Sequence, residues 1–323
     1  MFSIMVSVTV SNDRPNGDIQ ARGTLRNLQT LPRFQRLCER YGIQPTYFLS
    51  YPVLKPPHIQ WFQEAYDRQS CELGIFFQPW ATPPFAAHES RLVETTPSDC
   101  SPSTVRAKLK YLHSEFTAAN GFSPRLHRAE GGGLSSACLQ TMESLKLEVD
   151  ASAFPGMGPS NGLGTDWHSA PRVAYHPSLQ SPANRGHSKV IELPYTTGPK
   201  HPPLGLLRKV TSYLPRWLPV DSIVSHALLK TEQCPLDPCT LDSNQLGMIA
   251  DITLAAGLPY LHLTVRSEHL HPGESRGNLT NAMTEKRFEK IDQFLRYAVD
   301  RLRAAPTTLS DYARQHCTPG TPA

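Results

Sequence analysis

The chain contains no apolar run of about eighteen residues or more, so no segment reads as a membrane-crossing helix. A basic block is missing too: 32 Lys and Arg stand against 28 Asp and Glu, a net charge of +4 with no local concentration, which suggests neither nucleic acid nor an anionic membrane as partner. No export signal is visible. Met1 to Val10 is apolar but short, has no basic start, and runs into Ser11-Asn-Asp-Arg14 instead of a small-residue cleavage site. The reading is therefore a cytoplasmic chain. The seven cysteines are odd in number, and Cys38, Cys71, Cys100, Cys138 and Cys317 lack the even spacing of a disulfide framework, which fits reduced thiols. Cys234 and Cys239 flank two prolines as half a zinc site would, but no second Cys or His pair follows in zinc-like spacing, so structural thiols are expected. Internal repeats and low-complexity segments are also lacking.

What is abundant is proline. Thirty residues exceed the usual share of about 5%, and they crowd around residues 155–220. That stretch is expected to be a loop excursion over the mouth of a single domain spanning residues 1–323. Elsewhere short β-branched runs alternate with helical periodicity, the pattern of βα units on a parallel sheet. Strands are expected at Ser3 to Val10, Thr46 to Ser50, Leu73 to Phe77, Leu126 to Ala129, Glu148 to Ala151, Val190 to Leu193 and Tyr260 to Val265. Helices are expected at Leu25 to Tyr41, His58 to Arg68, Ser103 to Ala119, Ser135 to Leu145 and Glu285 to Ala305. In such a barrel the C-terminal strand ends share one face, where sites are built.

Several of those ends carry a recognisable frame. Glu72-Leu-Gly-Ile-Phe-Phe-Gln-Pro-Trp80, followed by Ala81-Thr-Pro-Pro84, resembles the run E-x-G-x-H-x-H-P-W-x-T-P-P of a branch of the NodB-like polysaccharide deacetylases. Val8-Thr-Val-Ser-Asn-Asp13, His127-Arg-Ala-Glu-Gly-Gly-Gly-Leu134, Val149-Asp-Ala-Ser152, Asp166-Trp-His168, Ile191-Glu-Leu-Pro194 and Leu261 to Gly273 are similar to further segments of that family, in family order. The resemblance implies a distorted TIM-like (β/α)7-type barrel acting in carbohydrate metabolism.

It also implies a degenerate site. Phe76 and Gln78 stand where the family has metal-binding histidines, Ser11 where it has the catalytic base, Asn12 or Asp13 where it has a metal-ligand Asp, and Arg266 where it has a catalytic His. An aromatic ring has no lone pair for a metal and an amide oxygen is a weak ligand. Serine is no base near neutral pH, and arginine does not exchange protons. The leading expectation is a glycan-binding or regulatory protein without cofactor. Arg128 and Arg266 would form an anion-preferring mouth for a carboxylated or phosphorylated sugar, with Gln78, Trp80 and Asp150 beside them and Trp167 and Tyr175 as stacking faces. The purely structural reading pairs Arg128 with Asp150 or Asp13, and Arg266 with a neighbouring acid. Two rivals remain. One is a divergent deacetylase holding a divalent metal such as zinc on relocated ligands, Asp13, His269 and His271 with His88. The other is a scaffold with a filled pocket and a protein partner. His262 reads as a packed barrel residue.

Overall fold

The computed structural model describes residues 1–13, 23–85, 95–159, 164–201, 232–273 and 280–316. His88, Cys317 and residues 160–163 and 202–220 of the proline-rich excursion lie outside them. Strands β1 (Ser3–Val10), β2 (Thr46–Leu49), β3 (Glu72–Phe77), β4 (Leu126–Ala129), β5 (Val149–Asp150) and β6 (Ile191–Glu192) pair in sequence order, all parallel. A two-stranded antiparallel ribbon follows, made of β7 (Thr197–Pro199) and β8 (Gln233–Pro235). β9 (Tyr260–Arg266) pairs with the other side of β1, and the short β10 (Ala305–Pro306) pairs with the start of β1. Between β6 and β9 the sheet is bridged rather than paired. Thr196 and Leu236 supply the links, with Leu236 N–H donating to Thr196 O (2.8 Å) and Thr264 N–H to Leu236 O (3.1 Å). The result is the expected curled parallel barrel.

The helices are α1 (Leu31–Glu39), α2 (Gln60–Asp67), α3 (Pro102–Asn120), α4 (Ser136–Ser144), α5 (Ser243–Ala255), α6 (Asn281–Arg296) and α7 (Leu309–His316). The expected helix from Leu25 is interrupted: Arg26–Thr30 is a 3-10 turn and α1 starts at Leu31 with Pro32 in its first turn, the helical position where a missing N–H costs nothing. The α5 helix escaped the sequence reading although Asp242 and Gln245 form a capping box at its start. No helix of the described residues is long and apolar enough to cross a membrane.

Period-two alternation divides the strand side chains between two cores. Ile4, Val6, Val8 and Val10, with Leu73, Ile75 and Phe77 and with Leu261, Leu263 and Val265, pack outward against the helices. Met5, Phe48, Phe76, Leu126, Val149 and Tyr260 face one another inside the barrel. Leu309, Tyr312 and Ala313 of α7 belong to that inner cluster, and Glu72 Oε2 accepts from the backbone N–H of Leu309 (3.1 Å) and Ser310 (3.4 Å). A carboxylate at a helix start is favoured there by the helix dipole.

The residues around β3 thus serve packing in part. Glu72 anchors α7, and Gly74 is needed because a Cβ there would lie 2.8 Å from Leu126 Cβ and 2.9 Å from Leu126 O. We expect Gly74→Ala to cost about 1–3 kcal/mol by overpacking, read from the urea midpoint; a neutral result would show that β3 and β4 can separate freely. The turn beyond β3 is held by the buried Lys108, whose Nζ donates to Pro79 O and Thr82 O, both at 2.8 Å. From Phe154 to Val190 the described chain runs in turns and isolated bridges.

Candidate functional site at the barrel mouth

One residue past a strand end, or at it, stand Ser11 after β1, Gln78 after β3, Glu130 after β4 and Arg266 closing β9. Their alternation places them one layer above Thr9, Phe76, Arg128 and Thr264, and they meet. Gln78 Nε2 donates to Glu130 Oε2 (2.6 Å), and Arg266 Nη1 lies 4.0 Å from Glu130 Oε1. Arg266 Nε donates to Glu268 Oε1 (2.7 Å), while Ser11 Oγ donates to Glu268 Oε2 (3.5 Å). Burial alone would raise Glu268, but the Arg266 charge and His269 hold its carboxyl below the usual range. One guanidinium therefore faces two carboxylates. Gln78 Oε1 is buried without a hydrogen-bond partner among the described residues.

Asp13 is drawn away from this rim. Its Oδ1 accepts from Thr24 N–H (2.7 Å) and Thr24 Oγ1 (2.5 Å), and its Oδ2 from Asn27 N–H (3.0 Å). Asn27 in turn donates to Ser11 O and to Ser267 Oγ, both at 2.8 Å, tying the β1 and β9 exits together.

The anion-binding role expected of Arg128 is overturned by its position. It lies one layer below the rim, buried, with Nη2 donating to Ser7 Oγ (2.6 Å), Nη1 to Thr9 Oγ1 (3.0 Å) and Nε to Ala151 O (3.0 Å). The Phe48 ring, 4.1 Å from its Cζ, and the Tyr195 ring at 4.8 Å complete the enclosure. Burial lowers its pKa from the usual arginine value. His262 shares that layer, stacked on Tyr195 and bonded to Ser7 Oγ, and burial followed by the Arg128 charge lowers it to about 3, so it is neutral. Arg128 pairs with neither Asp150 nor Asp13.

Asp150 is corrected as well. Strand alternation turns it to the outer side, where Oδ1 accepts from His127 Nδ1 (2.5 Å) and Ser152 Oγ (3.0 Å), all buried. Cys138 Sγ lies 3.7 Å from His127 Nε2, but burial pushes that thiol well above its ordinary range, and all three residues of this Cys-His-Asp line are fully buried. Trp80, Trp167 and Tyr175 are buried too, with Trp167 Nε1 donating to Gly132 O (2.9 Å) and Tyr175 Oη to Pro182 O (2.8 Å). None offers an open stacking face.

The expected relocated ligands Asp13, His269 and His271 do not assemble. Among the described residues, the one cluster with metal-ligand character joins His269 to Asp237 and Cys239 instead. Asp237 is pushed up by burial, partly offset by His269 and Arg266, and Cys239 is raised well above the thiol range by burial and by Asp237. Cys38, Cys71, Cys100, Cys138, Cys234 and Cys239 are free thiols.

A comparison with protein-family models returns no match, and neither does one with curated proteins. Solved structures do match. A provisionally assigned glycoside hydrolase/deacetylase from Parabacteroides distasonis superposes with a TM-score of 0.62 at 12% identity, over 98% of this chain and 72% of that one. A provisionally assigned polysaccharide deacetylase from Mycobacterium smegmatis gives 0.52 at 13% identity, over 99% of this chain and 94% of that one. The fold is that of the polysaccharide deacetylases.

Within this barrel, the positions that the sequence resemblance assigns to metal binding do not fit a metal. Phe76 fills the inner apolar cluster, the Gln78 amide is engaged by Glu130, and both Asp13 oxygens accept from Thr24 and Asn27. Glu130, Glu268, Asp237 and Asn27 are the residues that the sequence reading did not single out. The first two had a visible signal: each lies two residues beyond, and so on the same face as, an arginine already picked out.

Proposed function

We propose that the chain is a glycan-binding member of the deacetylase-like barrels that has lost the family's metal-dependent hydrolysis. The observation that carries this reading is the Gln78–Glu130–Arg266–Glu268–Ser11 network, which occupies the strand ends where a Lewis acid, a base and an acid would be needed together. Solved structures of the same fold described as acting on polysaccharides supply the substrate class. The rim's chemistry narrows it. The Glu130 and Glu268 carboxylates on either side of Arg266 are acceptors, so they suit the hydroxyl groups of a neutral sugar or the ammonium of an amino sugar better than a uronate.

Calorimetric titration with glucosamine, N-acetylglucosamine and glucuronate oligomers tests the reading. A charge-assisted hydrogen bond contributes about 1.5–3 kcal/mol, so at least a tenfold preference for the amino sugar over the uronate is expected, and Glu130→Gln should shrink it. Equal or tighter uronate binding would refute the acceptor rim. Zinc- or cobalt-stimulated release of acetate that depends on Gln78 would restore the deacetylase reading.

A further inference from the structure

We propose that Asp237, Cys239 and His269 form a binding site for one zinc-class divalent cation. Their candidate ligand atoms all lie within 4.8 Å of one another, although they come from two separate loops, one following β8 and one following β9. Tetrahedral zinc with bonds of about 2.0–2.3 Å holds its ligand atoms roughly 3.3–3.8 Å apart. Side-chain adjustments of about 1 Å therefore close the site, within ordinary rotamer motion.

The backbone that carries the donors is already assembled. Arg287 of α6 donates to the carbonyl of His269 and, at 3.4 Å, to the carbonyl of Cys239, so a single guanidinium holds both ligand loops in register. Lys290 donates to Leu241 O one turn further on. Asp237 Oδ1 accepts from Cys239 N–H (2.7 Å), and Pro238 between them restricts the chain, which fixes carboxylate and thiol on one short turn. Asp237 is buried, while Cys239 and His269 are half-buried.

The donor set selects the ion. A thiolate and an imidazole are poor ligands for magnesium or calcium and suit zinc or cobalt, with the carboxylate completing three protein ligands and one tetrahedral position left for water. Three cations approach the site, Arg266, Arg287 and Lys290, the last donating to Leu241 O. Arg266 is paired with Glu268, and Arg287 is spent on the two carbonyls. A dication facing a carboxylate and a thiolate balances locally. The site is separate from the positions of Phe76 and Gln78, and it stands or falls independently of glycan binding.

Cobalt(II) titration of the chelator-treated full chain tests the proposal through the near-ultraviolet thiolate-to-cobalt absorption, which no binding through oxygen and nitrogen alone produces. One equivalent should saturate the band in wild type and in Cys234→Ser. Cys239→Ser should abolish it, and Asp237→Asn or His269→Ala should weaken cobalt binding at least tenfold. A wild-type protein with no stoichiometric band overturns the site whatever the variants do. So does a band that persists in Cys239→Ser, or one that disappears in Cys234→Ser while Cys239→Ser retains it. Should Cys239→Ser fail to fold by circular dichroism, Cys239→Ala and the two non-thiol variants carry the same test.

Discussion

Arg128→Ala is expected to lower the stability of the fold by about 3–5 kcal/mol, the range for emptying a large buried side chain and stranding its polar neighbours. The guanidinium is the central member of the barrel's inner polar layer. It gives Thr9 Oγ1, Ser7 Oγ and Ala151 O a donor each, and its flat face lies against Phe48. Removing it opens a void between β1, β4 and β5 and leaves buried acceptors without that donor, two of the few mechanisms that produce a loss of this size. Arg128→Met separates the terms. It refills most of the volume without restoring hydrogen bonds, and should lose roughly half as much, since an apolar side chain of similar length often replaces a buried charge at low cost. Urea unfolding of both variants gives the answer. A loss under about 1 kcal/mol for Arg128→Ala would mean that the arginine does not organise the barrel interior.

That arginine also marks where sequence reading stops. The strand order, the parallel sheet and the barrel were legible because period-two and helical patterns are local, and because the strand ends of such a barrel must share a face. Ser11, Gln78 and Arg266 reach the rim for that reason. Arg128 does not, because it sits one alternation deeper, and a sequence does not say at which layer a strand ends. Asp150 failed by a single residue: the neighbouring position along β5 faces the opposite side of the sheet, so it packs outside with His127 while Ala151 faces the interior. Trp80, Trp167 and Tyr175 looked like stacking faces because loop aromatics carry no burial signal of their own. The Asp237, Cys239 and His269 cluster was illegible for a different reason. Cys239 and His269 lie thirty residues apart with no shared sequence pattern, and only the fold brings the β8 and β9 exits together.

The outer face of β5 and β6 yields the second large effect, and it depends on pH. Burial and the Asp150 charge push the Glu192 carboxyl well above the usual range, whereas Asp150, which burial alone would raise, is held low by Glu192, His127 and Ser152. Asp150 Oδ2 and Glu192 Oε2 are both buried without a hydrogen-bond partner among the described residues, and a proton on Glu192 is what the two directions call for. Folded Glu192 keeps a proton that the unfolded chain releases above about pH 4.3, so the unfolded state binds fewer protons and stability falls as pH rises. The slope is about 1.4 kcal/mol per pH unit for as long as Glu192 stays protonated in the fold. Asp150 acts in the opposite sense: its contribution is present above its unfolded value of about 3.9 and is lost as pH falls through the lower folded value. Glu192→Gln makes the donor at this position permanent. The amide oxygen can still accept from Ser152 N–H (3.1 Å) and Ala153 N–H (2.9 Å), and the amide N–H faces Asp150 without any proton to lose. The variant should therefore be more stable than wild type at neutral pH, with an advantage that grows from pH 5 upward. Urea unfolding of both proteins between pH 5 and 8 measures the difference. Two stability curves that run parallel across that range would show that Glu192 is already ionised in the fold.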